Sequence, residues 1–546
     1  MALAPYAQQK TSEVPLKMVG GNHFGRYTKI SDEQTWNMIV SDNWMVPYAG
    51  YKNVLTLGGT SQGRGLYASY RAGRMYAVIG DILYEVSESD LDNNTDGTPI
   101  GTLFTNEGDV FIAENNASQL CLTDNQYVYV WNYATSTFYT SNVGHNIGPV
   151  MDITWPYPDN TPGYVSFQSG YFIIAVNGST TWILSAFDDG TTWTPDEASV
   201  GTLQTKADYI QAVIPVPGRS QNLYVFGRNV VELWQFVANT GLFPYQLNSS
   251  FNVDYGCINP SSIAWLDENI VWIAVNEQSG PVLMMSRGTQ VESISTDGID
   301  YKLGNLTNPA DCTGFLFVQD GHLLYQFTFP EDNLSYSYDF NSKLFFSVSD
   351  ENLNFHIARQ VVYFNNTYYF VSISGPNIYV FDTIFPDAQY EEDDIRDIPR
   401  IRIPPPFSLP NAEYFVVNKL TFTIEQGQPN VVTTTVVTEE INDLLATEDL
   451  VLIQTEDGKN IGTQTQVSVL PIASYVLSEN NVYLSVSRDG GTTFGSTLVT
   501  PMYPTGVRKN QFNIQRVGAA NDITYQWRFV GKSRFVFTDG VASISQ

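Results

Sequence analysis

The sequence predicts an all-β protein, in which a β-propeller of six or seven blades is followed by a small β-sandwich domain with an inserted hairpin or loop. Three observations support this fold class. A strand–turn–strand unit recurs along the first two-thirds of the chain. Aromatic residues form 14% of the sequence and lie mostly in strand-like runs. The composition then changes after a proline-rich stretch.

The recurring unit has a polar turn between two apolar strands, and its copies are residues 74–86, 119–131, 164–176, 223–236, 263–275, 315–327 and 361–373. Successive turns lie about 42 to 57 residues apart, the spacing expected when each repeat contributes one four-stranded blade. A hairpin alone is marginally stable in water, so the units must stack their apolar faces on one another. Radial stacking of such units gives a β-propeller.

The chain divides into an amino-terminal lead-in, a propeller, a linker and a sandwich, at residues 1–55, 56–385, 386–410 and 411–546. The lead-in contains one strand-like core, residues 35–40, which could complete the last blade, as an early strand often does in propellers. Several short runs of the last segment alternate apolar and polar residues, which is typical of a β-sandwich.

Two stretches of the carboxy-terminal third need separate interpretation. The linker holds an acidic run at 391–394, three arginines and three consecutive prolines, and a solvated domain junction fits this composition better than an interface. The insertion, at about 428–474, is rich in Thr, Gln, Val and Glu. Its runs 431–437 and 464–470 could form a projecting hairpin, or the whole insertion could be a flexible loop.

The composition excludes some classes of function. The net charge is −29, from 56 acidic and 27 basic residues, so the general surface repels nucleic acid and anionic membranes. Such acidity also favours solubility. We find no apolar run long enough to span a membrane and no features of a secretory signal at the start, so we expect synthesis and folding in a cytoplasm. The three cysteines are expected to be small buried residues.

Two segments, 186–193 and 487–494, resemble the Asp-box hairpin. In that turn an aspartate accepts amide hydrogen bonds, a glycine takes a positive φ and an aromatic ring packs beneath. The residues expected in these structural roles are Asp188, Gly190, Trp193, Asp489, Gly491 and Phe494. The motif occurs in sialidases, but the arginines Arg71, Arg74, Arg219, Arg228 and Arg287 are scattered and suggest no triad. The sequence therefore predicts no catalytic, cofactor-binding or metal-ligating residues, and no enzyme.

The order of these features resembles the tail-hub, or packaged-DNA stabilisation, proteins of short-tailed bacteriophages (podoviruses), which form the tail nozzle. The resemblance extends over most of the chain and rests on the blocks 25–37, 46–51, 67–84, 229–235, 255–257, 262–274, 481–490 and 527–531. The insertion at about 428–474 exceeds what compact members of this family contain.

The resemblance implies a structural virion protein that forms a ring, usually a hexamer, below the portal and its adaptor ring. Such a ring retains the packaged genome, conducts DNA during ejection without binding it specifically, and meets tail fibres or spikes and a tail needle or tip protein. The protein would be made in the host bacterial cytoplasm and reside in the virion tail. The acidic residues could line the channel and repel DNA phosphates, or they could face outward.

Two other functions remain open at this point. The propeller could recognise a host glycan or a partner protein through its loops. Trp155 could stack on a sugar ring, or it could equally belong to the core or to a subunit interface. A sialidase-like glycosidase is the third possibility, although the arginines give it little support.

Overall fold

The computed structural model describes most of the chain: residues 11–26, 32–58, 61–141, 153–216, 221–237, 242–251, 253–426, 432–438, 469–475, 481–501, 510–531 and 534–545. Strands dominate the described residues, and two short α-helices, α1 (Glu88–Asn93) and α2 (Asp297–Gly304), lie in loops of the propeller. The predicted fold class, a β-propeller followed by a β-sandwich, is confirmed.

Five strands precede the first blade: β1 (Thr11–Leu16), β2 (Gln34–Trp36), β3 (Met38–Ser41), β4 (Trp44–Pro47) and β5 (Gly50–Thr56).

In the described part of the chain the propeller has seven blades, and the strands within each blade pair antiparallel. Blade 1 consists of β6 (Gly63–Ser69), β7 (Arg74–Ile79), β8 (Ile82–Val86) and β9 (Thr98–Thr102), and blade 2 of β10 (Phe111–Glu114), β11 (Gln119–Thr123), β12 (Val128–Asn132) and β13 (Thr137–Thr140). Blade 3 consists of β14 (Pro162–Gln168), β15 (Tyr171–Val176), β16 (Thr181–Leu184) and β17 (Val200–Thr202), and blade 4 of β18 (Ile210–Pro215), β19 (Asn222–Gly227), β20 (Val231–Phe236) and β21 (Tyr245–Leu247).

Blades 5 to 7 continue the same pattern, but blade 7 has only three strands from its own stretch of sequence. Blade 5 consists of β22 (Ala264–Leu266), β23 (Asn269–Ala274), β24 (Val282–Arg287) and β25 (Gln290–Ser293). Blade 6 consists of β26 (Thr313–Gln319), β27 (His322–Phe329), β28 (Leu334–Asp339) and β29 (Leu344–Ser347), and blade 7 of β30 (Ala358–Phe364), β31 (Thr367–Ser372) and β32 (Asn377–Asp382).

The carboxy-terminal strands form the sandwich and its attachments. They are β33 (Ala388–Gln389), β34 (Ile395–Arg396), β35 (Arg400–Ile403), β36 (Phe407–Ser408), β37 (Phe415–Gln426), β38 (Val432–Thr438), β39 (Val469–Tyr475), β40 (Asn481–Ser487), β41 (Leu498–Pro501), β42 (Asn510–Ala520), β43 (Asp522–Val530) and β44 (Phe535–Ser545).

All seven predicted hairpins form, one in each blade. In blades 1, 2 and 4 the recognised unit is the second and third strands, whereas in blades 3, 5, 6 and 7 it is the first and second. This change of register contributes to the uneven spacing of the turns, because the interval lengthens from blade 3 to blade 4 and shortens from blade 4 to blade 5.

Aromatic rings fill the spaces between neighbouring blades. Trp182 of blade 3 meets Trp234 of blade 4 edge to face, with ring centroids 5.6 Å apart, and Phe226 of blade 4 meets Trp272 of blade 5 at 5.3 Å. Such rings bury large apolar areas and prefer this geometry. The high aromatic content of the sequence thus supplies the contacts that hold the blades together.

The amino-terminal strand β5 closes the propeller by pairing with β32 as the fourth strand of blade 7. Its Tyr51 is fully buried, and its ring meets those of His356, Phe370 and Tyr379 edge to face, at centroid distances of 5.4 to 5.8 Å. The sequence predicted a closing strand from the lead-in but placed it at residues 35–40. That placement is wrong, because those residues lie in β2 and β3, which join the sandwich.

The sandwich consists of two sheets around a common apolar core. One sheet has the order β3-β4-β44-β37-β42, with β1 also paired to β44, and the other has the order β2-β35-β43-β40-β41. Trp527 and Phe422 meet between the sheets with centroids 4.8 Å apart. Strand β2 also pairs in parallel with β29, so blade 6 continues into the second sheet of the sandwich as one ten-stranded sheet.

The segments predicted as a linker and as an insertion both contain β-strands. A solvated linker at 386–410 is wrong for its second half, because β35 is a buried strand of the sandwich whose arginines have partners. The insertion contains a hairpin of β38 and β39. Its first arm lies one residue from the prediction and its second arm five residues beyond it; residues 439–468 lie outside the described residues.

Closure by β5 predicts a strong effect of Gly50→Ala. A Cβ atom at Gly50 would lie 2.2 Å from the carbonyl oxygen of Phe385 and 2.3 Å from that of Asp387, and both are backbone atoms that cannot turn away. We expect a loss of about 1–3 kcal/mol of stability, as in other overpacked cores, and a lower thermal unfolding midpoint. Gly304→Ala is the control, because nothing lies within 4 Å of that position. Equal midpoints for the two variants would contradict the closure.

Candidate functional site

The propeller axis is lined by the first strands of the blades, which lie beside one another around it. At the end where these strands begin, a polar network crosses the axis. Asp109, before β10 of blade 2, accepts hydrogen bonds from Ser261 of blade 5 at 2.5 Å and from Nε of Arg359 of blade 7 at 2.7 Å. Arg359 also donates to the carbonyl of Gly63 in blade 1 at 3.3 Å. We call this group the axial lock.

The axial lock closes one end of the propeller's own channel. Asp109 and Arg359 form an ion pair at 2.6 Å, and both side chains are largely buried. A DNA duplex, whose major groove alone is about 12 Å wide, cannot pass between groups in hydrogen-bond contact. The axis of a single propeller therefore cannot serve as a conduit for DNA.

Beyond the axial lock, the axis widens into an aromatic cup. The cavity has a volume of about 340 Å³ and is lined by side chains that include Tyr67, Tyr70, Phe111, Trp265, Tyr363 and Tyr368. Tyr70, Trp265 and Tyr363 are 69%, 47% and 42% exposed. The hydroxyl of Tyr70 donates to the carbonyl oxygen of Tyr363, which ties blade 1 to blade 7 at the mouth. The cup is concave, mostly apolar and of ligand size.

The junction between propeller and sandwich is held by buried guanidinium groups. Arg400 in β35 is fully buried and donates from Nη2 to Oδ1 of Asp387 at 2.6 Å and from Nη1 to the carbonyl of Gly531 at 3.3 Å. Burial raises the pKa of Asp387, and the facing Arg400 partly counters that shift. A buried ion pair of this kind contributes little net stability, yet losing one partner is costly.

Arg402, two residues further along the same strand, fastens the amino-terminal segment. It donates to the carbonyl oxygens of Met18 at 2.6 Å and Gly21 at 3.2 Å, to the hydroxyl of Thr35 at 3.0 Å, and to Oε1 of Glu33. A guanidinium group has five donors in a rigid fork, so one side chain can satisfy several strands at once.

Asn37 adds a third polar clasp, between blade 6 and the sandwich. Its side-chain oxygen accepts from the amide of Ser349 at 2.8 Å, and its nitrogen donates to the carbonyl of Pro399 at 2.8 Å. The residue is buried with a φ of +55°, a conformation that asparagine tolerates better than most residues. The junction is thus a built interface with a continuous sheet and not a flexible hinge.

The first Asp-box forms a turn, but with a different aspartate from the predicted one. Asp189 accepts from the amide and hydroxyl of Thr191 at 2.9 and 2.7 Å, whereas the Oδ1 atom of Asp188 is buried without a partner. Gly190 takes no positive φ; Asp188 does, at +52°. The predicted roles of Asp188 and Gly190 are therefore wrong. Trp193 is buried beneath the turn, as expected, and donates to the carbonyl of Gly190 at 2.8 Å.

The second Asp-box follows the expected pattern more closely. Asp489 accepts from the amides of Thr492 and Thr493 at 3.1 and 3.0 Å, and Gly491 has a φ of +87°. Hydrogen bonds from Ser487 and then Thr493 hold the pKa of Asp489 far below its usual range. Phe494 is half-buried. This turn joins β40 to β41 at the edge of the sandwich.

The residues weighed for other functions lie apart from one another. Arg74 pairs with Glu85 in blade 1 and Arg287 with Glu268 in blade 5, while Arg219 lies outside the described residues. Trp155 is buried and donates to the carbonyl of Asn160 at 2.8 Å, so it is a core residue and does not stack on a sugar.

No group of three or more His, Cys, Asp or Glu side chains within the described ranges is placed to hold a metal ion. Neither described helix has the length and apolar character of a membrane-spanning segment. The three cysteines are buried and unpaired, as expected.

The solved structures that are similar to part of this chain include the following three. The extracellular domain of the one-component system BT4673 from B. thetaiotaomicron is 12% identical with a TM-score of 0.38, and the match covers 61% of this chain and 40% of that one. U3-55K is 9% identical (TM-score 0.37; 61% and 98% covered), and a chain of the Mitotic Checkpoint Complex is 12% identical (TM-score 0.37; 61% and 93% covered). No curated protein matches the chain.

The fold and the axis define a seven-bladed β-propeller protein with a fused β-sandwich. A family model described as "Bacteriophage P22 Gp10, beta-propeller" matches residues 33–385, which include the closing strand and all seven blades. The chain belongs to this family. It is a structural protein of a bacteriophage virion, where it assembles with other virion proteins.

The junction predicts a large effect of Arg400→Met. The substitution leaves Asp387 buried without its cation, and we expect a loss of about 3–5 kcal/mol of stability, most of it recovered when Asp387→Asn is added. Thermal or denaturant unfolding followed by tryptophan fluorescence measures both variants. Arg396→Met is the control, because that half-exposed side chain should matter by about 1 kcal/mol or less. A mild effect of Arg400→Met would show that the pair does not secure the junction.

The first Asp-box predicts a contrast between neighbouring aspartates. Asp189→Ala removes the acceptor of the Thr191 amide and should speed hydrogen exchange in the peptide that contains this turn. Asp188→Asn keeps the positive φ and removes no turn hydrogen bond, so exchange there should stay at the wild-type rate. Hydrogen-exchange mass spectrometry makes the comparison, and faster exchange in Asp188→Asn alone would reverse the assignment.

Proposed function

We propose that this protein forms a ring, of six copies, in the phage tail below the portal and adaptor rings, and that the ring retains the packaged genome and conducts it during ejection. The membership of a phage virion family supports a place in the particle. Beyond that membership, we propose that the protein forms a ring, lies in the tail, acts as the nozzle and catalyses no reaction.

The observation that carries the proposal is the closed propeller axis. Ser261 and Asp109 meet across it at 2.5 Å, so any DNA path must run between copies of the chain. Copies arranged around a common axis create such a path, whereas a single propeller has none. Head-to-tail contacts between identical subunits give a closed ring with cyclic symmetry when the rotation per subunit closes.

The rigid connection between propeller and sandwich suits a subunit that walls such a path. Blade 6 and the sandwich share one sheet, and buried Arg400 and Arg402 tie the lead-in and both domains together. Blades 6 and 7 share one apolar core with the sandwich, so we expect the two domains to move as one piece. Pressure from packaged DNA would then act on rigid subunits and their contacts.

The charge supports passage of DNA without specific binding. At −29 per chain, a lumen wall offers few cations to phosphates and repels them at nanometre range. Proteins that hold DNA show the opposite pattern, with clustered Lys and Arg. The adaptor ring, the tail fibres or spikes and a needle or tip protein are the neighbours that such a ring would contact.

The aromatic cup favours a second candidate function, recognition of a host glycan by the virion. Exposed Tyr70, Trp265 and Tyr363 at the mouth of the aromatic cup are suited to stacking on a sugar ring. This role is compatible with the ring. Isothermal titration of the protein with oligosaccharides from host surface polysaccharide tests it, and Trp265→Ala should weaken any binding at least ten-fold.

Particles assembled with and without this protein test the ring. We expect particles that lack it to lose their packaged DNA, which a nuclease-protection assay measures, and purified wild-type protein to restore protection when it is added. Electron microscopy of the restored particles should show a six-fold ring at the tail vertex. Single copies attached to fibres, or full DNA retention without the protein, would contradict the proposal.

A further inference from the structure

The strands β38 and β39 form a ribbon that has no third strand in the described part of the chain. The two pair with each other over seven residue pairs, from Val432 opposite Tyr475 to Thr438 opposite Val469. A two-stranded ribbon is marginally stable alone in water and gains stability when a third strand or a packing face is added. A third strand from a neighbouring surface would therefore stabilise the ribbon.

The composition of the ribbon favours strand pairing with another chain. All seven residues of β38 are Val or Thr, the β-branched residues that favour strands. Neither β38 nor β39 contains a charged residue, although 15% of the chain is charged. Proteins usually protect free strands with charges or with proline. β39 carries Pro471, whereas β38 carries neither a charge nor a proline, so β38 is the strand of the ribbon that can accept a further strand.

The sandwich also presents a free edge that lacks protection. β42 pairs with β37 on one side and with no described strand on the other. Its first six residues, 510–515, carry no charge and no proline, and Gln511 and Gln515 are exposed. By contrast, β1 at the other side of the same sheet carries Glu13 and Pro15, two residues that block added strands.

The net charge of the chain favours contacts between copies at strand edges that carry no charge. Copies of a chain with a charge of −29 repel one another, so a contact between copies is least costly where charges are absent. The ribbon and the first half of β42 meet this requirement. Both belong to the same domain, which lets every copy offer one ribbon and one free edge.

We infer that the ribbon of one copy adds to the free edge of β42 in the next copy, by β-sheet augmentation. Backbone hydrogen bonds supply the contact, as in other cases of strand addition. The two surfaces differ, so the contact is head-to-tail, and repetition closes a ring when the rotation per subunit permits. The inference rests on the proposed function and states how that ring closes.

Crosslinking of a double variant tests the contact directly. Thr435→Cys on the ribbon is combined with Gln511→Cys on β42, and a short bis-maleimide is added, which tolerates an unknown register. The native cysteines Cys121, Cys257 and Cys312 are buried, so they leave the reagent to the new pair. On restored particles we expect a ladder of covalent oligomers that ends at the ring's copy number. Crosslinks within single chains would overturn the inference.

A matched control uses the protected edge. Thr435→Cys with Ser12→Cys places the second thiol on exposed β1, at the other side of the sheet, and should give no ladder. A ladder in this control equal to that of the first pair would show unspecific proximity and would overturn the inference.

A charge variant separates this inference from the proposed function. Gln511→Glu with Gln515→Glu adds like charges to the free edge and should lower the ring yield at least ten-fold at an unchanged thermal midpoint, while Ser12→Glu leaves the yield unchanged. If wild-type protein forms no ring on particles, the proposed function fails. If it forms a ring and the Gln511→Glu, Gln515→Glu variant forms it equally well, only this inference fails.

Discussion

The structure depends on one constraint: blade 7 cannot be completed by its own stretch of sequence. Its fourth strand is β5, which comes from before blade 1, so the two ends of the propeller are joined by sheet hydrogen bonds and by the buried ring of Tyr51. Because β5 must reach blade 7, the preceding residues are carried along the sandwich. They supply β2, β3 and β4, and Arg402 holds their backbone. The closure of the wheel and the attachment of the sandwich are therefore one event.

The repeat structure could be predicted from the sequence because each blade repeats a local pattern. A polar turn between two apolar strands, such as that at Asp320, is visible within about a dozen residues. Strand β5 and strand β35 escaped correct placement because their partners lie far away in sequence. Arg400 and Arg402 read as linker residues until Asp387 and Glu33 are seen beside them. Long-range pairing of charges leaves no periodic signal in one sequence.

The axial lock is a second feature that sequence reasoning missed. Asp109, Ser261 and Arg359 lie in three different blades, and none belongs to a recognisable motif. Each precedes or begins the first strand of its blade, so only the circular arrangement brings them together. The Asp-boxes, by contrast, are local motifs, and the sequence located both turns correctly. The hydrogen-bond acceptor in the first box is Asp189, because its neighbour Asp188 takes the positive φ.

The distribution of charge connects the fold to assembly. Acidic side chains on neighbouring copies repel one another. Uncharged strands with unpaired edges can pair with another chain, so contacts between copies are expected where the uncharged strands lie. In the propeller the outer strands are short, as in β17 and β21, and offer little edge to a neighbour. In the sandwich β42 is long, and its first half is uncharged. Contacts between copies are accordingly expected at the sandwich, which leaves the propeller faces and the aromatic cup accessible to other partners.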